Sequence, residues 1–191
     1  MKCIENPVSG SMHKYDPEKH RRRSIRLSNY AYDQAGAYYV TLVTKNRKII
    51  FGEIENGEVI LNEYGWIARE EWLKTSEIRT WVSMDAFVIM PNHLHGIIFI
   101  NEHDKLQKEP VAQPIKREFG KPIAGSLSSI IGQYKSVTTK RINARRGTKI
   151  PVWQRNYYER IVRDQEELDK IRIYIMENPM KWESDRENPF F

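Results

Sequence analysis

The stretch from Trp81 to Ile100 constrains the fold of this chain most. Two apolar runs are separated by Met90-Pro91-Asn92, a turn signal that folds one strand back on the next. The first run, Ala86 to Met90, is continuously apolar, which predicts a central strand buried on both faces. The second reads His93-Leu94-His95-Gly96-Ile97-Ile98-Phe99-Ile100. Side chains alternate along a strand, so His93 and His95 share one face while Leu94 and Gly96 take the other. Two neutral imidazoles side by side can hold one divalent ion. Alone, the pair is equally compatible with two structural histidines.

The remaining elements follow from local chemistry. Ala37 to Thr44 is aromatic and β-branched, a first strand. Asn56-Gly57 between Ile49–Ile54 and Glu58–Leu61 predicts a hairpin. Asn62 caps a helix through Tyr64 to Lys74, and Ser126 caps another from Leu127 to Ala144. In the second helix Tyr134 sits within the apolar stripe, as a core residue. Pro151 to Val162 reads as a strand. Asp164 and Glu167 form a capping box for a last helix that Pro179 stops. The core order is β-α-β-β-α-β, an α+β fold with a ferredoxin-like antiparallel sheet, helices on one face and an added C-terminal helix. Residues 1–32 read as a basic arm, 33–182 as one domain with a long loop at 101–125, and 183–191 as a tail.

At 191 residues, with 40% hydrophobic and 29% charged, the chain can bury one sizeable core. It has no apolar run long enough to span a bilayer and no apolar leader behind its first basic residues, so the cytoplasm is expected. The single cysteine excludes an intramolecular disulfide and a cysteine-built zinc site. Net charge is +6, but the cations cluster: Arg21, Arg22, Arg23 and Arg26; Lys45, Arg47 and Lys48; and a run that includes Lys135, Lys140, Arg141, Arg145, Arg155 and Arg163. Interleaved with Tyr134, Trp153, Tyr157 and Tyr158, these clusters favour phosphates and unpaired bases.

On the last helix, Tyr174 and Asn178 are four residues apart and share a face. In isolation Tyr174 is a rim residue and Asn178 a C-terminal cap. Together with the histidines they form an ordered string: Met90-Pro91-Asn92-His93-Leu94-His95, Tyr134-Lys135-Ser136, Val152 to Asp164, and Tyr174-Ile175-Met176-Glu177-Asn178-Pro179. From about Tyr38 to Trp182 the chain resembles the HUH single-tyrosine transposases, and more closely their chromosomal relatives, the REP-associated tyrosine transposases.

The resemblance implies that His93 and His95 bind a divalent ion, with Asn178 as a third, polar ligand. Oxygen and nitrogen donors with an open sphere suit Mg²⁺ or Mn²⁺. It implies that Tyr174 attacks a phosphodiester of single-stranded DNA beside a hairpin of a repeated palindrome, leaving a 5′-phosphotyrosine and a 3′-hydroxyl. Monomer and homodimer both occur among the relatives. Asn92 is read as a turn residue without chemistry. A non-catalytic hairpin DNA- or RNA-binding protein on the same fold is the alternative. A phosphohydrolase activating water is a weaker one, since few aspartates flank the histidines.

Overall fold

The computed structural model describes residues 34–102 and 125–190. The predicted arm, with Arg21, Arg22, Arg23 and Arg26, lies outside the described residues, as does most of the 101–125 loop. Strand β1 (Gly36–Val43) is followed by a hairpin of β2 (Gly52–Glu55) and β3 (Glu58–Leu61), then helix α1 (Glu63–Glu77). Strands β4 (Val82–Ile89) and β5 (His93–Ile100), helix α2 (Leu127–Arg146), strand β6 (Tyr158–Val162) and helix α3 (Gln165–Glu177) complete the order. A 3-10 segment, Pro179–Ser184, closes the chain behind α3.

The main sheet runs β4-β5-β1-β6, and the hairpin forms a separate two-stranded sheet. Every pairing in the main sheet is antiparallel, as expected. One expectation fails. The strand containing Ala86–Met90 lies at the sheet edge, and the central strands are β5 and β1. Its continuous apolar run reflects cover on both faces: Phe87 and Ile89 join the core beneath α1, while Ala86 and Val88 pack with α3. Two-sided burial marks a sandwiched strand, whether or not it is central.

The pleat divides the sheet chemically. Tyr38, Val40, Leu42, Leu94 and Ile98 point into the main core with α1 and α2. Gly96 faces this core too, and a Cβ there would lie 2.4 Å from Trp72 Cζ2. Only glycine leaves room for the Trp72 ring at this point of β5. Tyr134 is buried in this layer and donates to the Ala68 carbonyl at 3.1 Å, a core residue as expected.

The other face carries Tyr39, Ile97, Leu168 and Ile175 in a second, smaller core. Thus α3 covers the face opposite to α1 and α2. Asp164 caps it by accepting from the Glu167 amide at 2.8 Å, and Glu167 answers through the Arg163 amide at 2.9 Å, one residue before the cap. Arg172 ties α3 to Asp85 of β4 at 2.8 Å. A partly exposed pair of that kind contributes about 1 kcal/mol or less. Burial of Leu168 and Ile175 contributes roughly 1.5–3 kcal/mol each, so packing seats the helix.

The strand predicted over 151–162 is confined to its last five residues, Tyr158–Val162. Before it, only Trp153 bridges to Thr44. Lys135 Nζ donates to the carbonyls of Gln154 and Asn156, each at 3.0 Å. Those acceptors are turned toward α2 instead of a neighbouring strand. Among the described residues no helix is long and apolar enough to cross a membrane.

Candidate metal and tyrosine site

The His93 and His95 side chains leave β5 on the α3 side of the sheet, with ring centroids 4.5 Å apart. Both are buried, and burial pushes both imidazoles down, His93 to about 4. Each is therefore neutral at pH 7, the form that ligates metal.

Their outward nitrogens are fixed by neighbours. Asn92 Oδ1 lies 2.8 Å from His93 Nδ1, and the Asn92 amide nitrogen donates to the carbonyls of Arg47 (3.1 Å) and Glu187 (2.6 Å). Because an amide oxygen only accepts, His93 carries its proton on Nδ1, leaving Nε2 with a lone pair. His95 Nδ1 meets the hydroxyls of Tyr39 (2.7 Å) and Thr41 (3.0 Å). Thr41 stands directly opposite His95 in the β1–β5 register. Asn92, read from sequence as a plain turn residue, thus orients a histidine while clipping two chain segments together.

The 3-10 segment carries the chain back over this face and delivers Asp185. One nitrogen from each histidine and a carboxylate oxygen of Asp185 lie within 4.8 Å of one another, all three residues buried. His93 Nε2 is 4.0 Å from Asp185 Oδ2. Asn178, also buried, donates to the same Oδ2 at 3.1 Å. Among the described residues, His93 Nε2 and Asn178 Oδ1 are buried polar atoms with no hydrogen-bond partner. Such orphans are costly unless something else satisfies them. A hard divalent cation fits this set of nitrogen and oxygen donors. Asp185 escaped the sequence reading because nothing in the 183–191 tail marks it as close to a strand 90 residues away.

Tyr174 completes the cluster. Its hydroxyl lies 3.5 Å from His95 Nε2, and its ring packs edge-on to Tyr39 at 6.3 Å between centroids. It is 42% exposed, so one side of the phenol remains open to solvent. Partial burial, and then the Asp185 carboxylate, push its pKa above the ordinary 10. The phenol is protonated at neutral pH, hence a poor nucleophile without help.

The cations are spread over several places. Lys45 and Arg155, with Asn46, Gln154 and Asn156, line an open cavity of about 280 Å³ at the end of the sheet where His93 begins. Arg47 ion-pairs with Glu187 at 3.1 Å beside the Asn92 clip. Arg163 lies just before the α3 cap. Lys140, Arg141 and Arg145 are on α2, in the layer across the sheet from the histidines. There Arg141 binds Glu70 (2.8 Å) and Glu71 (2.6 Å), and Arg145 binds Glu63 at 3.2 Å. Lys135 is spent on two carbonyls, and burial lowers it to about 8.

A metal-competent histidine pair on an antiparallel sheet, with a helical tyrosine set against it, is the arrangement that the motif resemblance implies. No family model matches the chain. It is 39% identical over 180 residues to an uncharacterised protein of Haemophilus influenzae, covering 91% of this chain and 96% of the relative. It is 24% identical over 157 residues to a second H. influenzae protein, described as "Putative REP-associated tyrosine transposase", covering 81% of this chain and 77% of that one. The fold matches that of a REP-associated tyrosine transposase bound to a REP hairpin, with a TM-score of 0.55 and 20% identity over 82% of this chain and 74% of that one. With the ordered motif string, these likenesses make the chain similar to the REP-associated tyrosine transposases in sequence and in fold.

Proposed function

We propose that this protein is a metal-dependent enzyme that cuts and rejoins single-stranded DNA through Tyr174, acting beside hairpins of repeated palindromes. The observation that carries this reading is the meeting of the Tyr174 phenol with His95 on one face of the sheet. His93, His95 and Asp185 would hold Mg²⁺ or Mn²⁺, with Asn178, whose amide donates to Asp185, as a further oxygen ligand. Bound there, the ion offsets negative charge developing on a phosphate.

The chain's own residues supply the rest. Tyr174 Oη bonds to phosphorus, the P–O3′ bond breaks, the phenolic proton leaves to water at the exposed rim, and water returns a proton to the departing 3′-oxygen. The products are a 5′-phosphotyrosine and a free 3′-hydroxyl. The phosphoester energy stays in the linkage, so a second 3′-hydroxyl can reverse the step without ATP. Lys45 and Arg155 at the sheet end suit the strand's phosphates.

The test is incubation of the full chain with labelled hairpin DNA bearing single-stranded tails, in Mn²⁺, followed by denaturing electrophoresis. A covalent adduct that disappears in Tyr174→Phe is expected. Binding without any adduct would replace this reading with that of a non-cleaving hairpin binder. Cleavage that survives Tyr174→Phe would replace it with water-based hydrolysis.

A further inference from the structure

Beside the metal cluster lies a second concavity that the cleavage chemistry does not use. It has a volume of about 230 Å³ and sits between the tip of the β2–β3 hairpin and the 3-10 segment behind α3. Ile54, Asn56 and Gly57 form one wall, and Met180, Trp182 and Glu183 the other. The walls touch closely: a Cβ on Gly57 would lie 3.2 Å from Met180 Cγ. Asn56 and Gly57 both have positive φ, 52° and 80°, as the tight turn at the hairpin tip requires.

Three properties together identify what would fit. Among the described residues the lining includes no cation but does include Glu183, so a phosphate is repelled. The lining also includes an indole and apolar Ile54 and Met180, with Met180 70% exposed, which suits a flat apolar-faced ring. The cavity also adjoins the cleavage site, because the Trp182 ring that lines it lies 6.0 Å from the His93 ring. A strand whose phosphate is at the histidines would have a neighbouring nucleotide within reach of Trp182.

We infer that this cavity receives one unpaired nucleobase next to the scissile phosphate, and that Glu183 selects a base with hydrogen-bond donors on its pairing edge. Guanine offers two donors there, N1–H and N2–H, that one carboxylate can accept together. Adenine and cytosine each offer one amino group, and thymine flanks its single N–H with two carbonyls that the carboxylate repels. The expected order is guanine first and thymine last. The inference rests on the single-stranded DNA reading above, and its test is independent of cleavage.

The full chain, labelled with ¹³C at its methionine methyls, would be titrated in EDTA with dGMP, dCMP, dAMP, dTMP and inorganic phosphate. The Met180→Leu variant assigns the Met180 signal. The expected result is a saturable Met180 shift with affinity about ten-fold higher for dGMP than for dTMP. Phosphate alone should leave the signal in place, and Glu183→Gln should erase the preference. A Met180 signal unmoved by every nucleotide, moved equally by all four, or moved by phosphate alone would overturn the inference. If a Tyr174 adduct forms while Met180 stays silent, only the base pocket fails. A base-selective Met180 response without an adduct supports the pocket and removes the cleavage reading.

Discussion

The Tyr174 hydroxyl sits against the free end of the His95 ring: Oη lies 3.5 Å from Nε2, the nitrogen left over once Nδ1 meets Tyr39 and Thr41. The phenol is therefore a neighbour of the ion site and not one of its anchors. Removing its oxygen frees Nε2 without disturbing the buried donors. Tyr174→Phe is expected to bind Mn²⁺ as tightly as the parent or up to a few-fold more tightly, while losing adduct formation. Its stability should stay within about 0.5 kcal/mol of the parent, as for a substitution at a half-exposed site. Calorimetric Mn²⁺ titration of the two proteins checks the separation.

Asp185 supplies the only carboxylate of the cluster found among the described residues. Neutralising it keeps the shape and removes the charge that favours a divalent ion. Asp185→Asn is expected to weaken Mn²⁺ binding at least ten-fold. The readout is thermal: an ion bound to the folded state raises stability by RT ln(1 + [L]/Kd), so the Mn²⁺-induced rise in Tm should shrink in Asp185→Asn and vanish in His95→Ala. An undiminished rise in both variants would remove the ion from this site.

Asn92 reaches the same ion site indirectly. Its oxygen sets the His93 tautomer and its nitrogen holds the carbonyls of Arg47 and Glu187. Partners that orient a ligating histidine are typically worth 10–100-fold in metal affinity. Asn92→Ala is expected to lose about that much. Asn92→Asp keeps the acceptor for His93 and should recover part of it. Mn²⁺ affinities of the two variants, compared with their urea-unfolding stabilities, distinguish orientation of His93 from a general loosening of the clip.

The parts of this protein that depend on short-range chemistry were legible in its sequence. The Asn56-Gly57 turn, the Asn62, Ser126 and Asp164 caps, and the shared face of His93 and His95 each follow from a few adjacent residues. The placement of Tyr174 against His95 was a matter of sheet sidedness, and it came through the motif resemblance. What was illegible is long-range. The edge position of β4 is hidden because an apolar run cannot report whether its cover comes from strands or helices. Asp185 joins the site only because the 3-10 segment folds back, and the shortened β6 reflects a lysine on another element drawing off two carbonyls.

That lysine gives a pH prediction. Burial lowers Lys135 to about 8, against about 10.4 in an unfolded chain. Between those values the unfolded state holds a proton that the folded state has released, so stability rises with pH through this window. The slope is at most about 1.4 kcal/mol per pH unit. The buried tyrosines act in the opposite sense at higher pH: burial raises Tyr39 and Tyr134, so their folded forms retain protons that the unfolded chain loses above about 10. Stability measured by urea unfolding should therefore climb from pH 8 to pH 10 and turn over beyond it. In Lys135→Met the climb should be absent and the turnover preserved.

Gly96 sits between the histidine face and the main core, and it tests whether the two are mechanically coupled. Its missing side chain is where the Trp72 ring lies, with an added Cβ placed 2.4 Å from Cζ2 and 3.1 Å from Cε2. Trp72 is fully buried and packs edge-on to Tyr134 at 5.2 Å, so the ring has no open side to retreat to. Gly96→Ala must then move either the indole or strand β5, at a cost of roughly 1–3 kcal/mol or somewhat more. If β5 moves, His95 moves with it, since the two residues are adjacent. The expected outcome is lower stability in urea together with weaker Mn²⁺ binding. Pairing Gly96→Ala with Trp72→Phe should restore part of both, because the smaller ring makes room for the methyl. Loss of stability with Mn²⁺ affinity intact would mean that the core yields and the strand does not.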